Sequence, residues 1–411
     1  MHMYMQDWFP ATDGTGTNNR LFSNLRAYLD IGYEVEVVCF RRSNFEFAPI
    51  KDLENVKWTF IKPQLSNGLF DRVSYLTNFS ENRALNYRFK TRLAIRNEVE
   101  TRIRQNPEAL HHFEYLDTAC SYINMPKCRA IWSMHDLESK FIGAHEQIRS
   151  ELSNGKKHGW ESRAAKFLAL AEKKAAKEST LTLCIAKHER EFLRDEWNCG
   201  QAEFFPMSLP DESIPARQSK LGDDAKFSIL HLGRVDSLPS YRSLEFLFTQ
   251  VFPLLSPETS EKIEFLVVGE VRASPKAIRI KEMAAQYPFV KFLGFQKDLR
   301  EQYSRADVQV VGSTEATGLR TRIVESFAYK TPVLSTTVGA EGVHGLLNDQ
   351  NIVLADTPED YCRSLEKIIT EPEFRYSIAE EGRKLYDEVY SRAAVSRRLG
   401  ELLSKYSLGS I

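Results

Sequence analysis

Residues 311–337 read V-G-S-T-E-A-T-G-L-R-T-R-I-V-E-S-F-A-Y-K-T-P-V-L-S-T-T. The stretch parses as loop, helix, turn and strand. Residues 312–318 are small and polar, which suits a loop. Leu319, Ile323, Ser326 and Phe327 then recur at helical spacing. Pro332 biases Thr331 away from the helical region and ends the helix. Val333, Leu334, Ser335 and Thr336 make a short apolar strand. A helix opening at Gly318 and Leu319 presents free N–H groups with the helix dipole behind them, a site for an anion such as a diphosphate. Arg320 and Arg322 add positive charge on the same first turn, and Glu325 offers a carboxylate to the hydroxyls of a sugar diol.

The stretch resembles the donor-binding signature of family 4 retaining glycosyltransferases, which have the GT-B fold. That signature is a Glu, seven residues, a second Glu on a helix, small residues, then T-P-V and a strand. The second Glu is Glu325, while the first falls on Thr317, with Glu315 two residues earlier as the substitute. The spacing G-x-R-x-R-x-x-E (Gly318, Arg320, Arg322, Glu325) is similar to a bacterial branch of these enzymes. The resemblance implies an α/β chain of two Rossmann-like, doubly wound domains facing each other across a cleft.

The sequence before this stretch alternates strands and helices. Strands are expected at 227–232, ending in Gly233-Arg234, at 263–268, ending in Gly269, at 290–293, ending in Gly294-Phe295, and at 308–311. Helices are expected at 244–252, 276–287 and 298–306. Strand–glycine units alternating with helices mean a parallel sheet with its loops at one edge. Residues 210–224 are a Pro/Ser/charged linker. The expected division is therefore 1–209, the linker, and 225–391, with a terminal helix in 392–411 that the resemblance folds back onto the first domain. That first domain would bind the acceptor and 225–391 the donor.

In the first domain, a strand in 1–10, the loop Asp13-Gly14-Thr15-Gly16-Thr17, a helix marked by Leu21, Leu25 and Leu29, and a strand at 33–40 open a doubly wound fold. Gly14 and Gly16 let backbone approach a phosphate or sugar, or simply make a tight turn. Strands are expected at 109–115 and 130–134, the second ending in His135-Asp136. Ligands of open α/β sheets sit at the carboxyl ends of strands, which aims His135 at a binding site. The resemblance gives His135 contact with the transferred sugar. Glu114, after His111 and His112, is open between an acceptor-side base and a strand-end carboxylate. Segment 72–96 is rich in basic and aromatic residues. It reads as a solvated helix face, with docking on anionic lipid heads at the inner membrane face as the alternative.

The totals exclude several classes. At 411 residues two domains are the natural expectation. A net charge of −1 argues against a nucleic-acid binder. No apolar run reaches the roughly 18 residues of a membrane span. The amino terminus lacks the basic start and apolar core of a signal peptide. Six cysteines without a C-x-x-C pair fit reduced thiols, so a cytoplasmic location is expected.

A nucleotide-sugar donor leaves as a diphosphate that gains negative charge. No Asp-x-Asp pair is present to hold a metal, so fixed cations are expected to do this work: Arg234 and Arg320, with Arg322 and the Gly318–Leu319 amides. No cofactor or metal is expected. By resemblance, Glu325 takes the ribose hydroxyls, Glu315 or Thr317 the transferred sugar, and Gly294-Phe295 the base. A hexose-type sugar then passes from a UDP-sugar, or next a GDP-sugar, to a glycan or lipid-linked acceptor of a bacterial surface polysaccharide. Two other readings stay open: a nucleotide-sugar epimerase or hydrolase on the same scaffold, and a non-catalytic glycan-binding or assembly protein.

Overall fold

The computed structural model describes residues 1–6, 16–40, 53–61, 89–125, 128–140, 142, 159–209, 226–314 and 320–409. The chain divides into two compact units, Met1–Pro210 with Arg392–Ile411, and Asp211–Ser391.

In the first unit, strands β1 (His2–Gln6), β2 (Val35–Phe40), β3 (Val56–Ile61), β4 (Leu110–Glu114), β5 (Arg129–Met134), β6 (Leu181–Cys184) and β7 (Ala202–Phe204) form one sheet. Its order is β3-β2-β1-β4-β5-β6-β7, and every pair is parallel. The helices are α1 (Gly16–Asp30), α2 (Phe89–Gln105), α3 (Tyr115–Ala119), α4 (Gly159–Glu178) and α5 (Lys187–Asp195). Near-continuous apolar strands such as Val-Glu-Val-Val-Cys-Phe suit a sheet covered on both faces. One face packs on Leu21, Leu25 and Tyr28 of α1, the other on Ile95 and Val99 of α2 and Ala171 and Ala175 of α4. The order reverses between β1 and β4, and a doubly wound sheet binds its ligands at the carboxyl end of that switch point.

The second unit repeats the plan. Strands β8 (Phe227–Leu232), β9 (Ile263–Val268), β10 (Val290–Gly294), β11 (Val308–Val311), β12 (Val333–Ser335) and β13 (Val353–Leu354) pair in parallel, in the order β10-β9-β8-β11-β12-β13. Helices α6 (Leu238–Phe246), α7 (Pro257–Lys262), α8 (Pro275–Ala284), α9 (Arg300–Arg305), α10 (Thr321–Ala328), α11 (Pro358–Thr370) and α12 (Pro372–Leu385) surround the sheet. Its switch point lies between β8 and β11, so the loops after Leu232 and Val311 are neighbours.

The last helix, α13 (Arg392–Lys405), belongs to the first unit. Val395, Leu399, Leu402 and Leu403 bury against Leu21, Leu25 and Tyr28. Each such side chain contributes about 2 kcal/mol. Arg392 Nε (2.7 Å) and Ser396 Oγ (2.8 Å) donate to Asp30 and fix the register of α13 on α1.

Three sequence expectations shift. The strand 109–115 stops at Glu114, because Tyr115 adopts φ +62° and turns the chain into α3. The helix expected to open at Gly318 runs from Thr321, with Arg320 at φ −85°, ψ 84° as its cap rather than in its first turn. The helix expected at 244–252 starts at Leu238, after Ser237, and passes through a π turn at Leu247–Val251. Of segment 72–96, residues 72–88 lie outside the described residues. Arg96 is turned inward, its Nη1 donating to Ile123 O at 3.2 Å. Among the described residues no helix is long and apolar enough to cross a membrane.

Candidate functional site

In the second unit the switch point is built on Gly233. It ends β8 at φ +143°, and a Cβ there would lie 2.1 Å from Ser240 Oγ and 3.1 Å from Arg322 Nη1. Only glycine lets these groups converge. Arg322, on the first turn of α10, donates through Nη1 to the Leu232 carbonyl at the end of β8. Burial pushes its guanidinium down from the ordinary arginine range, with Tyr303 and Glu325 opposing. The loop after β11 is tied down beside it. Gly312 N donates to Ser243 Oγ at 2.9 Å, and buried Arg320 donates through Nη2 to Ser313 Oγ at 3.3 Å.

Glu325 stands one turn beyond Arg322. Its Oε2 accepts from Tyr303 OH at 2.7 Å, and the Tyr303 ring stacks on Tyr329 with centroids 4.8 Å apart. Burial pushes the Glu325 carboxyl up, while Tyr303 and Arg322 pull it down. Its Oε1 has no hydrogen-bond partner among the described residues. One oxygen is held and the other is open, the arrangement a carboxylate needs to take a diol hydroxyl in a fixed direction. Arg322 spends its Nη1 bond on Leu232, so the local i, i+3 ion pair with Glu325 does not form.

Arg234 follows Gly233, is 46% exposed, and pairs through Nε with Asp236 at 2.9 Å. A half-exposed ion pair is worth roughly 0–1 kcal/mol, so Asp236 holds Arg234 only weakly. Gly294 ends β10 at φ +70°, its carbonyl bonded to Gly269 N, and the following Phe295 is 72% exposed. Glu315, Thr317, Gly318 and Leu319 lie outside the described residues, as does Gly14.

In the first unit the centre is Glu114, at the end of β4 and fully buried. Its Oε1 accepts from Asn24 Nδ2 (2.7 Å) and His112 Nε2 (2.9 Å), and its Oε2 from His135 Nε2 (2.7 Å). The Glu114 carboxylate can only accept, so His112 carries its proton on Nε2, and Nδ1 accepts from Tyr28 OH at 2.9 Å. Burial pushes the Glu114 carboxyl up, but His112 and His135 outweigh it and hold Glu114 well below the usual carboxylate range. Burial lowers His135, against the opposing pull of Glu114. Tyr115 stacks on the His135 ring at 3.7 Å between centroids. Its positive φ stores about 1–3 kcal/mol of strain to reach that place.

With Nε2–H committed to Glu114, His135 presents Nδ1 as its remaining acceptor, available to a substrate hydroxyl. Two buried carboxylates fix the segment after it. Glu189 accepts from Leu137 N at 3.0 Å and Glu172 from Ser139 N at 3.2 Å. Burial, with Asp136 beside it, pushes Glu189 up to about 8, and burial pushes Glu172 up to about 7.

Of the residues expected from sequence, Gly233's neighbours Arg234 and Arg322, with Arg320 and Glu325, gather at the second switch point. His135 lies at the carboxyl edge of the first sheet, and Gly16 opens α1. Glu114 has both oxygens occupied and is buried, so it positions His135 and does not touch an acceptor as a base. Asn24, Tyr28 and Tyr303 were missed. Arg20, Asn24 and Tyr28 recur every four residues on the buried face of α1, a polar stripe among leucines that a periodicity search for apolar residues passes over. Among the described residues, no cluster of His, Cys, Asp and Glu suits a metal ion.

Residues 226–371 match the family described as "Glycosyl transferases group 1". A curated relative, the lipopolysaccharide core biosynthesis glycosyltransferase LpsE of Rhizobium meliloti (strain 1021), is 32% identical over 118 residues, 28% of this chain and 34% of LpsE. The match thus spans about a third of that relative's length. Similar solved structures include sucrose-phosphate synthase of Thermosynechococcus elongatus, with TM-score 0.69 and 16% identity over 98% of both chains. Anabaena HepE, solved with UDP and glucose, has TM-score 0.63 and 13% identity over 97% of this chain and 99% of that one. The fold is that of GT-B proteins, with two parallel-sheet Rossmann-like domains.

Proposed function

We propose that the protein is a retaining glycosyltransferase that moves a hexose-type sugar from a nucleoside-diphosphate sugar to a glycan or lipid-linked acceptor in bacterial polysaccharide synthesis. The observation that carries this reading is the convergence of Gly233, Ser240 and the Arg322 guanidinium at a sheet switch point, one helical turn from a Glu325 with one oxygen open. The match of residues 226–371 to a glycosyltransferase family covers this same unit. The LpsE relative supports a surface-glycan acceptor, and the UDP held by HepE favours UDP over GDP as the donor's nucleotide.

In the reaction, the bond from the sugar's anomeric carbon to the diphosphate oxygen breaks and its electron pair leaves with the diphosphate. The acceptor oxygen attacks from the same face through an oxocarbenium-like state. Its proton passes to a diphosphate oxygen. Arg322 and Arg234 are fixed cations for the charge that grows on the leaving group, a preorganised field that needs no reorganisation as the bond breaks. Glu325 takes the ribose hydroxyls, and in the first unit His135 Nδ1 is an acceptor for a sugar hydroxyl.

Two outcomes check this. Glu325→Ala weakens sugar-nucleotide binding by about 10–100-fold in calorimetric titration, the range for hydrogen bonds to a charged group. Wild-type affinity in that variant removes Glu325 from the site. Because arginines carry the charge, EDTA leaves the transfer rate unchanged. A rate that EDTA abolishes and magnesium or manganese restores overturns the fixed-cation mechanism.

A further inference from the structure

Arg20 is a buried cation that makes no ion pair among the described residues. It sits early in α1 and is 1% exposed. Its Nη1 donates to Pro206 O at 2.7 Å and its Cζ lies 5.0 Å from the Phe205 ring centroid. Its Nε and Nη2 are buried with no hydrogen-bond partner among the described residues. Such a group is costly. A guanidinium cannot shed its proton in the physiological range, and an uncompensated buried charge is among the more destabilising features a fold can carry. Burial pushes Arg20 down to about 10, with Glu114 opposing, which leaves it charged at neutral pH.

Its place narrows what it is for. α1 runs antiparallel to the strands, so its amino-terminal turns lie at the carboxyl edge of the sheet. Asn24, one turn further along the same face, bonds Glu114. Arg20 is therefore one turn closer to that edge than the carboxylate that holds His135. The segment it rests on, Phe205-Pro206, directly follows β7 at the same edge. Neither oxygen of Glu114 is left for Arg20, since Asn24, His112 and His135 occupy them.

We propose that Arg20 receives an anionic group, a phosphate or carboxylate, carried by the acceptor bound in the first unit. The inference rests on the transferase reading and deepens it: the acceptor is an acidic or phosphorylated sugar rather than a neutral one. The forked Nε and Nη2 donors match the two oxygens of such a group, which a lysine cannot do.

The test is calorimetric titration of the full chain, with and without UDP, using glucose 6-phosphate, glucuronate and glucose. Wild type is expected to bind one of the two charged sugars about tenfold or more tighter than glucose. Arg20→Met abolishes that preference and leaves UDP affinity unchanged. Arg20→Lys keeps only part of the preference, because it supplies charge without the fork. Arg20→Met also melts within about 3 °C of wild type or above it when ligand-free, since an unpaired buried charge has been removed. Equal binding of all three sugars by wild type, or a preference retained in Arg20→Met, overturns the proposal. So does loss of UDP affinity in Arg20→Met, which would assign the group to the donor's diphosphate. UDP binding separates the two ideas: UDP bound with no charged-sugar preference sinks the Arg20 proposal alone, and no nucleotide binding sinks the transferase reading beneath it.

Discussion

Glu114→Ala lowers the melting temperature by about 10 °C and removes sugar transfer in the protein that remains folded. The carboxylate joins three donors from three elements: Asn24 on α1, His112 on β4 and His135 after β5. Deleting it leaves these groups buried without their acceptor. Removing one partner of a buried charged network costs about 3–5 kcal/mol, and for a domain of this size each kcal/mol moves the transition by about 2–4 °C. The loss of transfer has a separate cause. Tyr115 stacks on the His135 ring, but Glu114 is what anchors its Nε2 proton, so without the carboxylate Nδ1 is no longer held toward substrate. Glu114→Gln separates the two effects: its amide oxygen can serve one histidine while its NH2 faces the other, so it retains more stability than alanine but not activity.

The same cluster makes the first unit acid-sensitive. The folded pKa of Glu114 is lowered, so its contribution is present above the unfolded value of about 4.3 and is lost as pH falls through the folded one. The folded pKa of His135 is also lowered, so stability declines as pH drops below its unfolded value of about 6.5. Melting curves between pH 7 and 4 are expected to fall for wild type and to fall more steeply for Glu114→Gln, because the neutral amide no longer opposes the lowering of His135 by burial. Equal slopes would mean that the acid sensitivity lies elsewhere.

The second large effect is at Arg322. Arg322→Ala is expected to lower kcat/KM by about 100–1,000-fold, the range for removing one preorganised donor from a developing negative charge. Arg322 is the cation whose position the backbone dictates. Gly233 makes the space, and the Leu232 carbonyl holds the guanidinium at the end of β8. Arg320, by contrast, is directed to Ser313. Arg322→Lys should recover little, because a point charge cannot keep the Leu232 bond and face a phosphate together. A variant at Arg322 with wild-type kcat/KM would remove the switch point from the chemistry.

Much of this site was legible in the sequence because it depends on local order. Strand–glycine units repeat at 232–233, 268–269 and 293–294, and the interval from Arg320 to Glu325 spans little more than one helical turn, so residue types and spacing place them together. What stayed hidden depends on partners remote in the chain. Tyr303 reaches Glu325 across 22 residues, and Asn24 reaches Glu114 across 90. Nothing local announces either contact. Glu114 stays open between an acceptor-side base and a strand-end carboxylate until its three donors are known. Arg234 reads as a fixed cation for the diphosphate, and that Asp236 two residues away pairs with it is seen only in the structure. The start of α10 was misread because Gly318 and Leu319 resemble a helix opening, whereas the non-helical backbone of Arg320 (φ −85°, ψ 84°) delays the helix to Thr321.

The central claim is that the second unit binds a nucleoside diphosphate through fixed cations. Its most direct test is the melting temperature of the wild-type chain with UDP, GDP, dTDP and CMP, each in the presence of EDTA. The account predicts stabilisation by one diphosphate, UDP before GDP, that persists without metal. No shift with any of the four, or a shift that appears only when magnesium or manganese is added, would contradict it.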